Sequence, residues 1–337
     1  MHIGVMLHLT PAPWQDASET YRDFTAFVRF AELLGVEEAW VTEHHFQPTS
    51  LCPAPHLLMA HFLASTQNLR LGSAATLVGF HEPVQVAEEL ATLAALAPGR
   101  VLAGFARGGP FEAQNRVFDM DGEQSRARML EAVPAIERLW REPEAGHEGA
   151  FYRWSSLDLQ PRAQPVPIFL ASKDEAAIRL AAQHGYGLMN AQFWTNAQVQ
   201  ASRALYIQAH PRQQAPDVML SRGLMIDDDP ERASRHAVQH VHDFRAQKSQ
   251  LWGQHQAPLA RLGDDALLQN MLVGTPAQIV AQVRELRDLG VTRLALNPLS
   301  WRHGERMDLV GRFMREVWPQ VQVAEMSQVP AMSLAQA

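Results

Sequence analysis

The strongest constraint on this chain is an alternation of short apolar runs and amphipathic stretches that repeats eight times. Runs at 3–7, 38–42, 69–77, 100–106, 166–171, 186–191, 218–226 and 292–297 predict strands. Stretches at 21–34, 83–96, 123–142, 174–184, 196–209, 230–247, 275–289 and 306–317 predict helices, with Gly35 and Gly290 placed to end two of them. Alternating βα units imply a parallel sheet covered by helices. Eight such units in 337 residues fit a closed (β/α)8 barrel better than an open sheet. No G-x-G-x-x-G follows the first strand, which lowers a dinucleotide-binding alternative. No Gly/Ser/Pro linker divides the chain, so one barrel domain is expected over residues 1–320, followed by a tail at 321–337. Polar, irregular segments at 143–164 and 249–272 exceed ordinary loop lengths and are expected to be lids at the C-terminal face.

Hydrophobic residues make up 47% of the chain, enough for a large core, and the formal net charge is −7. That balance argues against nucleic acid or an anionic membrane as partner, since both need concentrated Lys and Arg. With Cys52 as the one cysteine, no intramolecular disulfide and no thiolate metal cluster can form. The N-terminus lacks a signal-peptide layout, no apolar run approaches a spanning helix, and a cytoplasmic protein is expected.

In such a barrel the reactive groups belong at the C-terminal ends of the strands. The second strand runs into WVTEHHF (40–46), and the third into SAAT (73–76) followed by HEPVQVAEE (81–89). The fourth runs into FARGG (105–109) and RVFDMD (116–121), and VGTPAQIVAQV (273–283) precedes LGV (289–291). Taken in order, these segments resemble the bacterial luciferase α subunit and the wider luciferase-like flavin monooxygenases over about residues 1–320.

The resemblance implies a luciferase-like TIM barrel that binds reduced FMN across its mouth. In such a protein dioxygen adds to the flavin as a C4a-(hydro)peroxyflavin that oxygenates a small organic substrate. With no second domain for NAD(P)H, a separate NAD(P)H:flavin reductase is the implied partner. Arg107 matches the phosphate-binding position, and its planar fork suits a phosphate, although a structural ion pair would also account for it. Gly108 and Gly109 would let a ligand approach the backbone. Ser172 and Lys173 match a second phosphate segment, with an ordinary Ser/Asp helix cap as the plain alternative. Ala74 and Ala75 match a pair joined by a cis peptide beside the flavin ring. His44 matches the catalytic histidine, an imidazole able to exchange a proton near neutral pH. His81 is a further neighbour of the cofactor. Trp194 falls where the family packs its flavin, while Phe46, Phe111 and Trp252 are substrate or lid candidates beside a plain core-packing role.

A metal reading of Glu43, His44 and His45 is disfavoured, because consecutive residues of an extended segment face apart. Ala106 stands where luciferase has a reactive Cys, which argues against light emission on a long-chain aldehyde. Two other readings stay open: a deazaflavin-dependent hydride-transfer oxidoreductase on the same barrel, and a non-catalytic flavin-binding subunit. A homodimer is expected through the helices at 55–64 and 84–96.

Overall fold

The computed structural model describes residues 1–109, 111–162, 164–248 and 263–326. Its strands are β1 (His2–Leu7), β2 (Glu38–Val41), β3 (Arg70–Ser73), β4 (Val101–Ala106), β5 (Ala145–Glu148), β6 (Arg153–Leu157), β7 (Ile168–Ala171), β8 (Gly187–Asn190), β9 (Val218–Ile226), β10 (Leu272–Gly274) and β11 (Arg293–Pro298). Its α-helices are α1 (Ala17–Leu33), α2 (Pro55–Ser65), α3 (Pro83–Leu96), α4 (Glu112–Val117), α5 (Gly122–Arg141), α6 (Glu175–His184), α7 (Asn196–Ala209), α8 (Pro230–Lys248), α9 (Asp264–Leu268), α10 (Pro276–Asp288), α11 (His303–Arg312) and α12 (Trp318–Met326).

Parallel pairing runs β9–β11–β1–β2–β3–β4–β7–β8 and closes from β8 back to β9, giving the eight-stranded barrel. The eight predicted strands are these eight. Local chemistry explains the helix ends: Asp16 and Glu19 form a capping box on α1, and Thr275 and Gln278 form one on α10. Gly35 and Gly290 follow α1 and α10 with φ of +83° and +89°, a conformation that a side chain would strain.

Bulky side chains plug the barrel interior where glycines make room. A Cβ on Gly72 would clash with the fully buried Trp40 ring, and one on Gly187 with Phe169. Trp40 and Phe169 meet edge to face, their centroids 5.5 Å apart. Towards the C-terminal end the interior changes to Ala74, Ala75, Ala106 and Ala171 beside Met6, Met189 and Met219. Small side chains there leave space, and the barrel's cavity opens above them.

At the opposite end, Glu38 is fully buried at the start of β2, between Arg70 on β3 at 2.8 Å and Arg293 on β11. The Trp40 indole N–H donates to the same carboxylate at 3.1 Å. Burial pushes the Glu38 carboxyl up, against the pull of the two guanidiniums.

Three expectations need correction. Segment 143–164 is no lid: β5 and β6 form an antiparallel hairpin between the end of α5 and the start of β7, away from the mouth. It lies along α5, where the Glu131 carboxylate accepts the N–H groups of residues 150–152, and it adds nothing to the cavity wall. The third strand does not reach residue 77; it stops at Ser73, and the Ala74–Ala75 peptide is cis. The tail does not begin at 321, because α12 stays helical to Met326 and buries Val321 completely. Among the described residues no helix is long and apolar enough to cross a membrane.

Candidate active site

The mouth of the barrel holds a cavity of about 640 Å³, within the usual range for small-molecule and cofactor sites. Its floor is the small-residue layer described above, with the cis Ala74–Ala75 peptide at the end of β3. His44, beyond the end of β2, lines it and meets Phe111 edge to face at 5.9 Å. The His44 backbone N–H donates to the Cys52 carbonyl at 2.9 Å, which pins the segment that carries the imidazole.

Arg107 lines the same cavity two strands further round, with Gly108 and Gly109. Its Nη1 donates to the Gly122 carbonyl at 3.0 Å. Gly108 has a φ of +95°, and an added Cβ would meet the Phe80 ring at 2.6 Å. Ser172 and Lys173 reach the wall from the end of β7. The helix start beyond them caps itself: Asp174 accepts the N–H groups of Ala176 and Ala177, and the Ser172 hydroxyl accepts that of Asp174. The Lys173 ammonium lies 5.2 Å from the centroid of the Trp194 ring, which is buried in the wall.

Two candidates lie elsewhere. Phe46 is 55% exposed, with φ of +55°, and packs on Phe118 and His45 outside the cavity. His81 does not line the cavity; it binds Glu43 at 2.7 Å. Trp252 lies outside the described residues.

Glu43 was legible only as part of a motif, yet it ties the wall together. Its side chain is fully buried; Oε1 takes hydrogen bonds from His45 at 2.8 Å and His81 at 2.7 Å, and Oε2 takes the Leu77 N–H at 2.8 Å. The segment bearing His44 is thereby fastened to the segment after the cis peptide. The ligand-type atoms of Glu43, His45 and His81 lie within 4.8 Å of one another, and His44 stands apart from that group.

Burial pushes the Glu43 carboxyl up, but the bonds from His45 and His81 outweigh it and hold it at about 2. Burial lowers His81, and Glu43 more than reverses that, so its value is raised. The His81 contribution to stability is therefore complete below the ordinary 6.5 and fades as pH rises through the raised value. The Glu43 contribution is complete above 4.5 and is lost as pH falls towards 2. A His81→Gln variant should lose more melting temperature at pH 6 than at pH 9 by scanning calorimetry. A loss independent of pH would show that no imidazolium–carboxylate pair forms.

Sequence reasoning also missed Asn190 and Ser221. Asn190 Nδ2 and Ser221 Oγ belong to buried residues of the cavity wall and have no hydrogen-bond partner among the described residues. Both come from runs legible as strands, but closure of the barrel is what turns them towards the cavity. Unsatisfied polar groups around an apolar floor fit the polar edge of a flat heterocycle, and Arg107 and Lys173 fit a phosphorylated tail.

A parallel eight-stranded barrel with a cavity at its mouth is the architecture of the luciferase-like oxidoreductases. The chain belongs to the luciferase-like monooxygenase family, whose model matches residues 1–293. It is 29% identical over 190 residues to the flavin-dependent trigonelline monooxygenase, oxygenase component, of Acinetobacter baylyi, covering 55% of this chain and 52% of that protein. The chain thus spans about half the length of that relative in the match. It is 26% identical over 310 residues to the F420-dependent glucose-6-phosphate dehydrogenase of Intrasporangium calvum, covering 84% of this chain and 91% of that one. The crystal structure of monooxygenase RslO1 from Streptomyces bottropensis superposes with a TM-score of 0.85 at 26% identity, covering 95% of this chain and 99% of that chain. The family therefore holds flavin monooxygenases and F420-dependent dehydrogenases alike.

Proposed function

We propose that this chain is the oxygenase component of a two-component, FMN-dependent monooxygenase that takes reduced FMN from a separate NAD(P)H:flavin reductase and oxygenates a small organic substrate. The carrying observation is that His44 and Arg107 line one cavity above the cis Ala74–Ala75 floor. Reduced FMN, when bound, supplies the electrons that activate dioxygen. Arg107 and Lys173, with Ser172 beside them, hold the phosphate, while Gly108 and Gly109 let it come close to the backbone. Trp194 walls the site, and Asn190 and Ser221 supply polar contacts to the ring. His44 gives and takes the proton that oxygen transfer requires, and Phe111 helps keep water from it. The name of the Acinetobacter relative as an oxygenase component supports the reductase partner.

The test is binding. An Arg107→Met variant should bind FMN about 10- to 100-fold more weakly, the worth of one charge-assisted phosphate contact. Its affinity for riboflavin, which has no phosphate, should stay unchanged. Equal losses for both ligands would remove Arg107 from the phosphate site.

A second reading, deazaflavin-dependent hydride transfer, is favoured by the Intrasporangium relative, which aligns along most of its length. Titration with FMN and with F420 separates the two, and preferential binding of F420 would replace the proposal. Pairing through α2 and α3 is the proposed mode of homodimerisation; Leu57 and Leu96 stand 72% and 74% exposed there. Light scattering giving a monomer mass would refute it.

A further inference from the structure

The cavity has a second end, across the mouth from Arg107, where α1, α8 and the segment after β11 meet. Phe24, His240 and Trp301 line it around Arg306, which sits in the first half of α11 and is only 5% exposed. The Arg306 Nη2 donates to the Trp301 carbonyl at 2.9 Å, and the guanidinium lies 4.6 Å over the Phe24 ring. Among the described residues its Nε is buried without a hydrogen-bond partner. No salt bridge joins Arg306 to a carboxylate among the described residues, and residues 249–262 contain no Asp or Glu.

Arg222 provides a comparison within the same molecule. It is equally buried, but it lies outside the cavity wall and donates to the Gln192 and Ser221 carbonyls and to Asn196 Oδ1. Arg126, Arg128, Arg203 and Arg284 also bury an Nε without a hydrogen-bond partner among the described residues; what separates Arg306 from them is its place at the cavity wall, where a bound anion would offset the cost.

The surrounding charges agree. Burial lowers Arg306 to about 10, partly offset by Asp23, so the guanidinium stays charged at neutral pH. Asp23 is itself engaged by the Gln15 amide at 2.6 Å. Burial holds His240 at about 4, with Asp243 pulling up and Arg306 down, so this imidazole is neutral. Burial also lowers His303, against Asp23 and with Arg306. Asp23 and Asp243 act on these groups through space, but among the described residues neither forms a salt bridge with Arg306, whose guanidinium lines the cavity among aromatic rings.

We infer that Arg306 recognises the substrate, and that the substrate is a small monocarboxylate with a flat or apolar body. This rests on the proposal that the Arg107 end takes the cofactor. Arg107 follows the fourth barrel strand and Arg306 the eighth, so they stand on opposite sides of an eight-membered ring and do not share one phosphate. A single guanidinium balances a single carboxylate and forms two parallel hydrogen bonds with it. A phosphate dianion would need a second cation, and among the described residues the wall's lysine and other arginine are at the far side.

The test is calorimetry on the full chain, with and without FMN, using benzoate, phenylacetate and hexanoate, each beside its primary amide. At least one acid should bind about tenfold or more tightly than its amide. Arg306→Met should abolish that preference and leave FMN affinity unchanged, while Arg306→Lys should keep part of it. Equal binding of every acid and amide, or no binding of either, overturns the proposal, and that comparison needs no variant. A preference that survives in Arg306→Met overturns it too. Loss of FMN affinity in that variant would move Arg306 into the cofactor site and refute the inference while leaving the flavin reading intact. An Arg306-dependent acid preference in a chain that binds no FMN would do the reverse.

Discussion

Replacing His44 with Ala is expected to lower oxygenation turnover by about 10²- to 10⁴-fold, the usual contribution of a positioned acid–base group. The loss should fall on turnover and not on cofactor binding. The segment carrying His44 is held by its own backbone bond to Cys52 and by the Glu43 clamp, neither of which needs the imidazole. Phe111 loses one edge-to-face neighbour and stays in the wall. Coupled assays with a flavin reductase should therefore show oxygen consumption diverted to hydrogen peroxide while product formation collapses, at near-normal FMN affinity. Turnover equal to the parent would remove His44 from the mechanism.

Glu38→Ala is expected to destabilise the fold by about 3 kcal/mol, because it strips a buried carboxylate from between two guanidiniums. Arg293 is 11% exposed and also binds Asp217 at 2.8 Å, while Arg70 is 25% exposed, so water relieves part of the unpaired charge. The Trp40 indole N–H loses its acceptor as well. Glu38→Gln keeps the volume and an acceptor oxygen and should lose less. Urea unfolding gives both values; losses under about 0.5 kcal/mol in each would show that the barrel base does not depend on this cluster.

The barrel was legible because its signal is local and repeated. Each buried strand reads as an apolar run, and each helix as a 3.6-residue pattern bounded by caps such as Thr275–Gln278 or glycines such as Gly35. The hairpin of β5 and β6 was not legible, since its short strands are polar and owe their place to contacts with α5. β10 was missed for a different reason: three residues carry no period, and only pairing with β9 makes them a strand.

The site divides in the same way. Motif resemblance brought His44, Arg107, Ala74–Ala75 and Trp194 to attention, and the fold gathers them at one mouth. It also nominated Phe46 and His81, whose side chains point away: one follows a left-handed backbone, and the other is drawn to a buried carboxylate. Nothing in the linear order sets Arg306 apart from the other arginines near the C-terminus. It is set apart by Phe24, nearly three hundred residues earlier, and by its place at the cavity wall without a salt bridge among the described residues.

Residue order alone determined that eight strands and their helices would form, because hydrophobic period, capping and turn chemistry act between neighbours a few positions apart. Closure of the ring decided the rest: which wall groups are buried unsatisfied, and which histidines and arginines reach the cavity. Burial and electrostatic compensation depend on distances in space, and those exist only once strands far apart in the chain lie side by side.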